Sequence, residues 1–284
     1  MIALFCMTLD HLAVTLAEPL VIYLFAGKRT EVAIGMMIVG LMRCIGRVAF
    51  PIYCFFIYEG FKHTRSKLKY MLRLFILAII SEVPFNLALA HRIFSYRYQN
   101  VFWTLLLGLI VIVEIDGINK IFNNKYLILV SEILIISSGM IIAELANTDY
   151  GANGVFAIVI IWLMSNSKLV TSIICHIVGT GLELLSVRFL TTENIILHAI
   201  MFIVFVVLIY QINKRTLNKI KGVSACCLEL TVNNSIEIFS FLMIPLMLLY
   251  NGEKGKMNKW FFYFYYPVHL ALFTGIGFLI GVYS

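Results

Sequence analysis

Six ionisable residues stand inside otherwise apolar runs of this chain: Asp10, His11, Arg43, Arg47, Glu82 and His269. A charge at the centre of a bilayer costs ~2.5–3.5 kcal/mol on insertion scales, so such groups face inward, at a buried site or in structural ion pairs. Arg43 and Arg47 are four residues apart and share one helical face. Glu82, on the next apolar segment, is their candidate counter-ion. Asp10 and His11 are adjacent, so on a helix they point about 100° apart. One then faces the arginines and the other a substrate path. His269 shares a face with Tyr265 and Tyr266 and follows Pro267. Histidine is the side chain whose proton moves near neutral pH. A layer of His, Arg, Asp and Glu therefore serves either acid–base chemistry at a buried site or proton-coupled transport. Structural salt bridges of Arg43 or Arg47 with Glu82 or Asp10 are the plainer reading of the same residues.

The elements that must position these groups are membrane helices. The chain has 284 residues, of which 61% are hydrophobic and only 13% charged, and its mean hydropathy is +0.95. That composition excludes a soluble globule. With ~20 apolar residues per crossing, the expected fold is all-α, a polytopic bundle of about nine or ten spans in a single domain, residues 1–284. Spans are expected near 2–25, 33–61, 70–90, 101–118, 126–146, 152–166, 169–189, 194–212, 235–250 and 260–282. The stretch Gly222 to Ser235, with Ser224, Glu229, Thr231, Asn233 and Asn234, is too polar for a simple span and reads as interfacial or re-entrant. With one crossing after it, both termini are cytoplasmic and Lys254, Lys256 and Lys259 lie outside, against the charge rule. Trp103, Trp162 and Trp260 fall near span ends, as an interfacial belt requires.

At 1.5 Å per residue, Arg43 and Arg47 lie roughly 15–20 Å into the second span. Glu82, Asp10-His11 and His269 fall at a similar depth, so four helices offer ionisable groups to one layer. His176, His198, Glu114, Glu132, Glu144, Glu183 and Glu237 lack such company and read as structural or interfacial. Glu59 closes the second span beside the basic turn, where an ion pair and a functional role are equally natural. Pro51, Pro84, Pro245 and Pro267 free backbone carbonyls near the polar groups. The net charge of +7 is concentrated in short turns, the positive-inside pattern of cytoplasmic loops, and not in a nucleic-acid surface. The six cysteines show no metal-type spacing and read as small apolar filler. No metal is expected.

The turn after the second span carries Lys62, Arg65, Lys67, Lys69 and Arg73, with Thr64 and Tyr70. It binds anionic head groups as a topology determinant, or it clamps a phosphate-rich cytoplasmic co-substrate. A glycine-rich phosphate loop is missing, which argues against a nucleotide-hydrolysing pump.

The motifs Arg43-x-x-Gly46-Arg47-x-Ala49-Phe50-Pro51, Glu59-Gly60-Phe61-x-x-Thr64-Arg65, Tyr70-x-x-Arg73-Leu74 and Glu82-x-Pro84-Phe85 resemble the signature of the TraX family. Asp10-His11, Asn100-Val101-Phe102-x-Thr104-Leu105, Asp149-Tyr150-Gly151, Leu249-Tyr250-Asn251-Gly252-x-x-Gly255 and Phe262-Tyr263-x-x-Tyr266-Pro267-x-His269-Leu270 extend the likeness. It covers nearly the whole chain and departs at 213–235. These are bacterial inner-membrane proteins named for acetylation of conjugative pilin. The resemblance implies a membrane-embedded acyltransferase of the bacterial cytoplasmic membrane, using acetyl-coenzyme A or another acyl-coenzyme A as co-substrate. Its acceptor would be a membrane-associated or exported peptide, sugar or lipid. On that reading Thr64, Arg65, Lys67, Lys69, Tyr70 and Arg73 hold the donor phosphates. His11 or His269 is the general base, Arg43 or Arg47 stabilises the oxyanion, and Asp10 and Glu82 hold the arginines. Direct transfer is expected, with an acyl-His or acyl-Cys6 intermediate as the alternative. The rival class is a proton-coupled secondary transporter.

Overall fold

The computed structural model describes residues 1–186, 192–252 and 259–283, and among these it is all-α, with no strand. The first apolar run forms α1 (Ile2–Leu12), a π-helical turn over Ala13–Ala17 and α2 (Glu18–Leu24). The second is split by a turn at Arg47 and Val48 into α3 (Arg29–Gly46) and α4 (Ala49–His63). Then follow α5 (Lys67–Ala90), α6 (Val101–Ile121), α7 (Lys125–Leu145), α8 (Gly151–Ser165), α9 (Leu169–Ser186) and α10 (Thr192–Arg215). The chain ends in α11 (Asn218–Asn233), a 3₁₀ segment (Ser235–Leu242), α12 (Met243–Leu248) and α13 (Lys259–Leu279). Short connections are set by asparagine and serine caps. Ser66 accepts from the Lys69 amide at the start of α5, and Asn124 accepts from the Tyr126 amide at the start of α7. Each satisfies an amide that the first helical turn leaves without a partner.

Among the described residues, seven helices are long and apolar enough to cross a membrane, and three shorter apolar helices accompany them. The protein is a multi-pass membrane protein. Leucine, isoleucine, valine and phenylalanine side chains such as Ile38, Ile79, Leu134, Ile203 and Val207 stay exposed along the outer helices, as a lipid-facing wall requires. The centre of the bundle is α8, twelve of whose fifteen residues are buried. It is walled by α4, α6, α7, α9 and α11.

The stretch expected to be interfacial or re-entrant is α11, a helix buried beside α8. Gly222 lies against Ile161, and Glu237, just past the end of α11, reaches the group that contacts Tyr150 at the start of α8. The two helices therefore run antiparallel along the same length of core. Ser224 and Glu229 are buried in protein, so their polarity meets no lipid. This added pass along the core also reverses the end of the chain. Tyr70 packs on Gly60, and Glu59, Lys62, Tyr250, Asn251 and Gly252 line one cavity, at the end of the bundle that carries the basic turn. The ring of His91 meets Tyr283 at 4.4 Å at the opposite end. α5 and α13 run parallel, and the C-terminal residues lie away from the basic turn, contrary to the expectation that both termini share its side. Lys254 and Lys256 lie outside the described residues, as do the side chains of Glu183 and Trp260. Trp162 is buried against the core and is not part of an interfacial belt.

Candidate functional site

Arg47 occupies the break between α3 and α4, and the break turns its side chain into the bundle. Its Nη2 donates to Asp10 Oδ2 at 2.6 Å, its Nη1 to Glu237 Oε1 at 2.9 Å and to the Tyr150 hydroxyl at 3.3 Å, and its Nε to the Arg43 carbonyl at 3.4 Å. Arg43 lies 3.8 Å from the other Asp10 oxygen, with 38% of its side chain exposed. Two guanidinium groups and two carboxylates thus balance in charge, which is the condition for keeping ionised groups in a dry interior. The Tyr150 ring is held flat against Phe50, with centroids 3.7 Å apart. Arg47 spends most of its donors on this network. Arg43 does not.

The neighbour of Asp10 makes the second half of the site. His11 Nδ1 lies 2.6 Å from His269 Nε2, and the two rings stack with centroids 4.9 Å apart. His269 Nδ1 lies 2.7 Å from the Tyr265 carbonyl oxygen, which can only accept. In the neutral pair the proton on His269 therefore sits on Nδ1, and its Nε2 accepts from His11 Nδ1–H. The remaining lone pair falls on His11 Nε2. Thr8 and Tyr265, whose hydroxyl oxygens are 2.6 Å apart, tie α1 to α13 one turn away. Just past His11 the backbone opens into the π-helical turn, with the Thr15 hydroxyl on the His11 carbonyl at 2.6 Å. Such π turns recur at functional positions because they shift the register of the following face.

Of the residues expected to share a layer, Asp10, His11, Arg43, Arg47 and His269 form one connected group. Glu82 is not the arginine counter-ion. Its carboxylate accepts from Asn100 at 2.5 Å, from Trp103 Nε1 at 3.1 Å and from Asn86 at 3.2 Å. Asn100 and Trp103 come from the start of α6, which follows α5 directly and reaches Glu82 first. The place expected for Glu82 is taken by Glu237, which the sequence suggests to be structural or interfacial.

The basic turn folds partly onto its own helices. Lys67 donates to the Phe61 carbonyl and sits over the Phe61 ring at 4.0 Å. Arg73 donates to the Lys69 carbonyl at 3.1 Å, and Tyr70 is folded against Gly60. Arg65, Lys69 and Arg73 are exposed, with Thr64 half-buried beside them. A cavity of about 390 Å³ at this end is lined by Tyr58, Glu59, Lys62, Gly222, Tyr250 and Asn251, but by none of Thr64, Arg65, Lys67, Lys69, Tyr70 and Arg73. Glu59 pairs there with Lys62 at 3.1 Å and with His63 at 3.3 Å.

At the other end, the turn between α7 and α8 brings Asp149 to the Tyr98 hydroxyl and Tyr150 to Arg47. Burial pushes the Asp149 carboxyl up to about 6, against the Tyr98 hydrogen bond and the Arg47 charge, which hold it down. Burial likewise raises the Tyr98 and Tyr150 hydroxyls.

His176 and Glu132, expected to be structural or interfacial, each sit in a buried polar cluster. His176 Nδ1 lies 2.8 Å from Glu229 Oε2, both fully buried. Glu132 accepts from Lys168 at 3.0 Å, from Thr171 at 3.0 Å and from Asn119 at 2.7 Å. Among the described residues, no group of three His, Cys, Asp or Glu is arranged to hold a metal ion.

The family model described as TraX protein matches residues 1–197 and 156–277. A probable fimbrial assembly protein, FimC of serogroup H1 from Dichelobacter nodosus, is 34% identical over 79 residues, which is 25% of this chain and 32% of that protein. The likeness thus spans about a third of that relative's length. No solved structure matches the chain.

Proposed function

The chain belongs to the TraX family, and on that premise we propose that it moves an acetyl or other short acyl group from acyl-coenzyme A to an amine or hydroxyl at or across the membrane. The observation that carries this reading is the His11–His269 pair, in which the Tyr265 carbonyl fixes the tautomers and leaves the lone pair on His11 Nε2. A base oriented in this way, next in the chain to the carboxylate that holds the partly exposed Arg43, suits attack on a thioester.

In the proposed reaction the acceptor's nitrogen or oxygen attacks the thioester carbonyl and its proton passes to His11 Nε2. The charge that develops on the carbonyl oxygen faces Arg43. Collapse of the tetrahedral intermediate breaks the carbon–sulfur bond, and the proton leaves His11 for the departing thiolate. His269 accepts from His11 throughout and steadies the imidazolium. Arg47 acts as a positioning residue, because its donors hold Asp10, Glu237 and Tyr150. The donor's phosphates would meet the exposed Arg65, Lys69 and Arg73, with Lys67, Thr64 and Tyr70 shaping the turn. Glu82 takes no part beyond joining α5 to α6. The name of the Dichelobacter relative favours an exported fibre subunit as acceptor.

The test uses the full chain in lipid nanodiscs, with acetyl-coenzyme A and a panel of peptide amines, sugars and lipid head groups. Acyl transfer that is lost in His11→Gln is expected. Proton flux in proteoliposomes, with no thioester turnover under any acceptor, would replace the acyltransferase with the transporter.

A further inference from the structure

The bundle holds a second oriented histidine that the proposed transfer does not use. His176 of α9 and Glu229 of α11 are both buried, at 1% and 0% exposure. His176 Nδ1 lies 2.8 Å from Glu229 Oε2, and the Asn233 amide nitrogen lies 2.9 Å from Glu229 Oε1 and 2.9 Å from the Glu229 carbonyl. Both contacts of that amide nitrogen are acceptors, so its orientation is forced, and the carboxylate is held from two sides. A carboxylate accepts only, so His176 Nδ1 carries a proton and Nε2 is left as an acceptor in the neutral ring. The imidazole is fixed flat against Phe205, with centroids 3.7 Å apart and planes within 16°.

His176 Nε2 is buried and has no hydrogen-bond partner among the described residues. An unpaired polar atom in an apolar interior destabilises the fold, so a donor that fills this place is favoured. Beside the ring is a cavity of about 100 Å³, lined with His176 by Thr180, His198, Phe202, Val232 and Asn233. At ~30 Å³ per water molecule it has room for about three non-hydrogen atoms. The Thr180 hydroxyl spends its proton on the His176 carbonyl at 2.9 Å, and Asn233 spends its amide protons on Glu229. What these groups leave toward the cavity are acceptors, set beside a buried carboxylate. With His176 Nε2 these acceptors favour a hydrogen-bond donor over an anion. Leu197, on the cavity wall, is 55% exposed on the outer side of α10, so the approach is from the bilayer side.

We propose that the cavity between α9, α10 and α11 is a binding site for a small amine or hydroxyl group, which donates its hydrogen bond to His176 Nε2. The site stands apart from the His11–His269 pair, and its occupancy does not depend on acyl transfer.

The experiment reads the histidine nitrogen resonances of the full chain, labelled at histidine and held in nanodiscs, with the His176 signals assigned by their loss in His176→Gln. Ethylamine and ethanol, which match the cavity in size, should each move the Nε2 signal saturably, whereas acetate should not. Thr180→Met fills the cavity and leaves both dyad side chains unchanged, removing only the hydroxyl bonded to the His176 main-chain carbonyl, and its unfolding temperature reports that the chain is folded. In that variant the shift should vanish while the signal itself persists. A signal that neither donor moves, or that moves equally in Thr180→Met or with acetate, overturns the site.

Discussion

A Cβ placed on Gly46 would stand 2.5 Å from Asp10 Cβ and 2.8 Å from Asp10 Oδ1. α1 and α3 thus touch at the residue whose carboxylate both arginines hold. Gly46→Ala should separate them and lower stability by ~1–3 kcal/mol, as overpacking does in a dense interior, despite the helix propensity gained. Gly40→Ala is the control, since open space surrounds that position. Equal unfolding temperatures for the two variants in detergent would show that the contact is slack.

The two arginines should separate in their effects. Arg47→Ala leaves Glu237 without its cation and Asp10 with only the long Arg43 pair, and breaking a buried pair in this way costs ~3–5 kcal/mol. Arg43, with a single long ion pair, should lower kcat when changed to alanine while leaving the unfolding temperature nearly intact. The opposite pattern would exchange the roles proposed for them.

His11→Gln and His269→Gln should each reduce kcat, and the double variant should be scarcely worse than His11→Gln alone. Residues that act as one unit are non-additive. His269→Gln should be the milder change, because the lone pair that takes the proton is on His11. Independent, multiplying losses would mean that the stacked rings do not work together.

Asp149 gives a pH dependence with a definite sign. Its carboxyl is raised to about 6, from ~4 in an unfolded chain, so the folded state holds a proton that the unfolded state has released. This contribution is intact below pH ~4 and is lost as pH rises through about 6. Asp149→Asn should therefore gain stability relative to the parent as pH rises from 4 to 7. A constant difference across that range would put the carboxyl back among ordinary ones.

Topology can be read by labelling single cysteines. Thr64→Cys and Gly252→Cys should react from the same side, which the positive-inside pattern makes cytoplasmic. Ser95→Cys and Asn147→Cys should react from the other. Labelling of Gly252→Cys together with Ser95→Cys would contradict the parallel course of α5 and α13.

What could be read in the sequence, and what could not, follows from the solvent each residue meets. A charge within a long apolar run is conspicuous, and Asp10, His11, Arg43, Arg47 and His269 do come together. Glu229 escapes notice because its surroundings are polar enough to read as a non-spanning stretch, and Glu237 because it stands alone at the start of the span expected over 235–250. Hydropathy measures fitness for lipid, and a helix enclosed by other helices is under no such constraint. Glu237 follows Asn234, which caps the 3₁₀ segment. An acidic residue just inside that turn was the one available signal. The pairing of Glu82 needed the path of the chain beyond it, since Asn100 and Trp103 are near neighbours only once α6 folds back on α5.

The burial of α8 has a consequence for how the protein is made. Its apolar surface is covered on nearly every side, and a large part of that cover is α11, some fifty residues later in the chain. During synthesis α8 must wait in the bilayer, or against the insertion machinery, with one flank open until residues 218–233 emerge. The order of membrane insertion is therefore not the order of folding. The core closes from the C-terminal side, and a ribosome stalled before α11 should hold a bundle that still exchanges α8 with lipid.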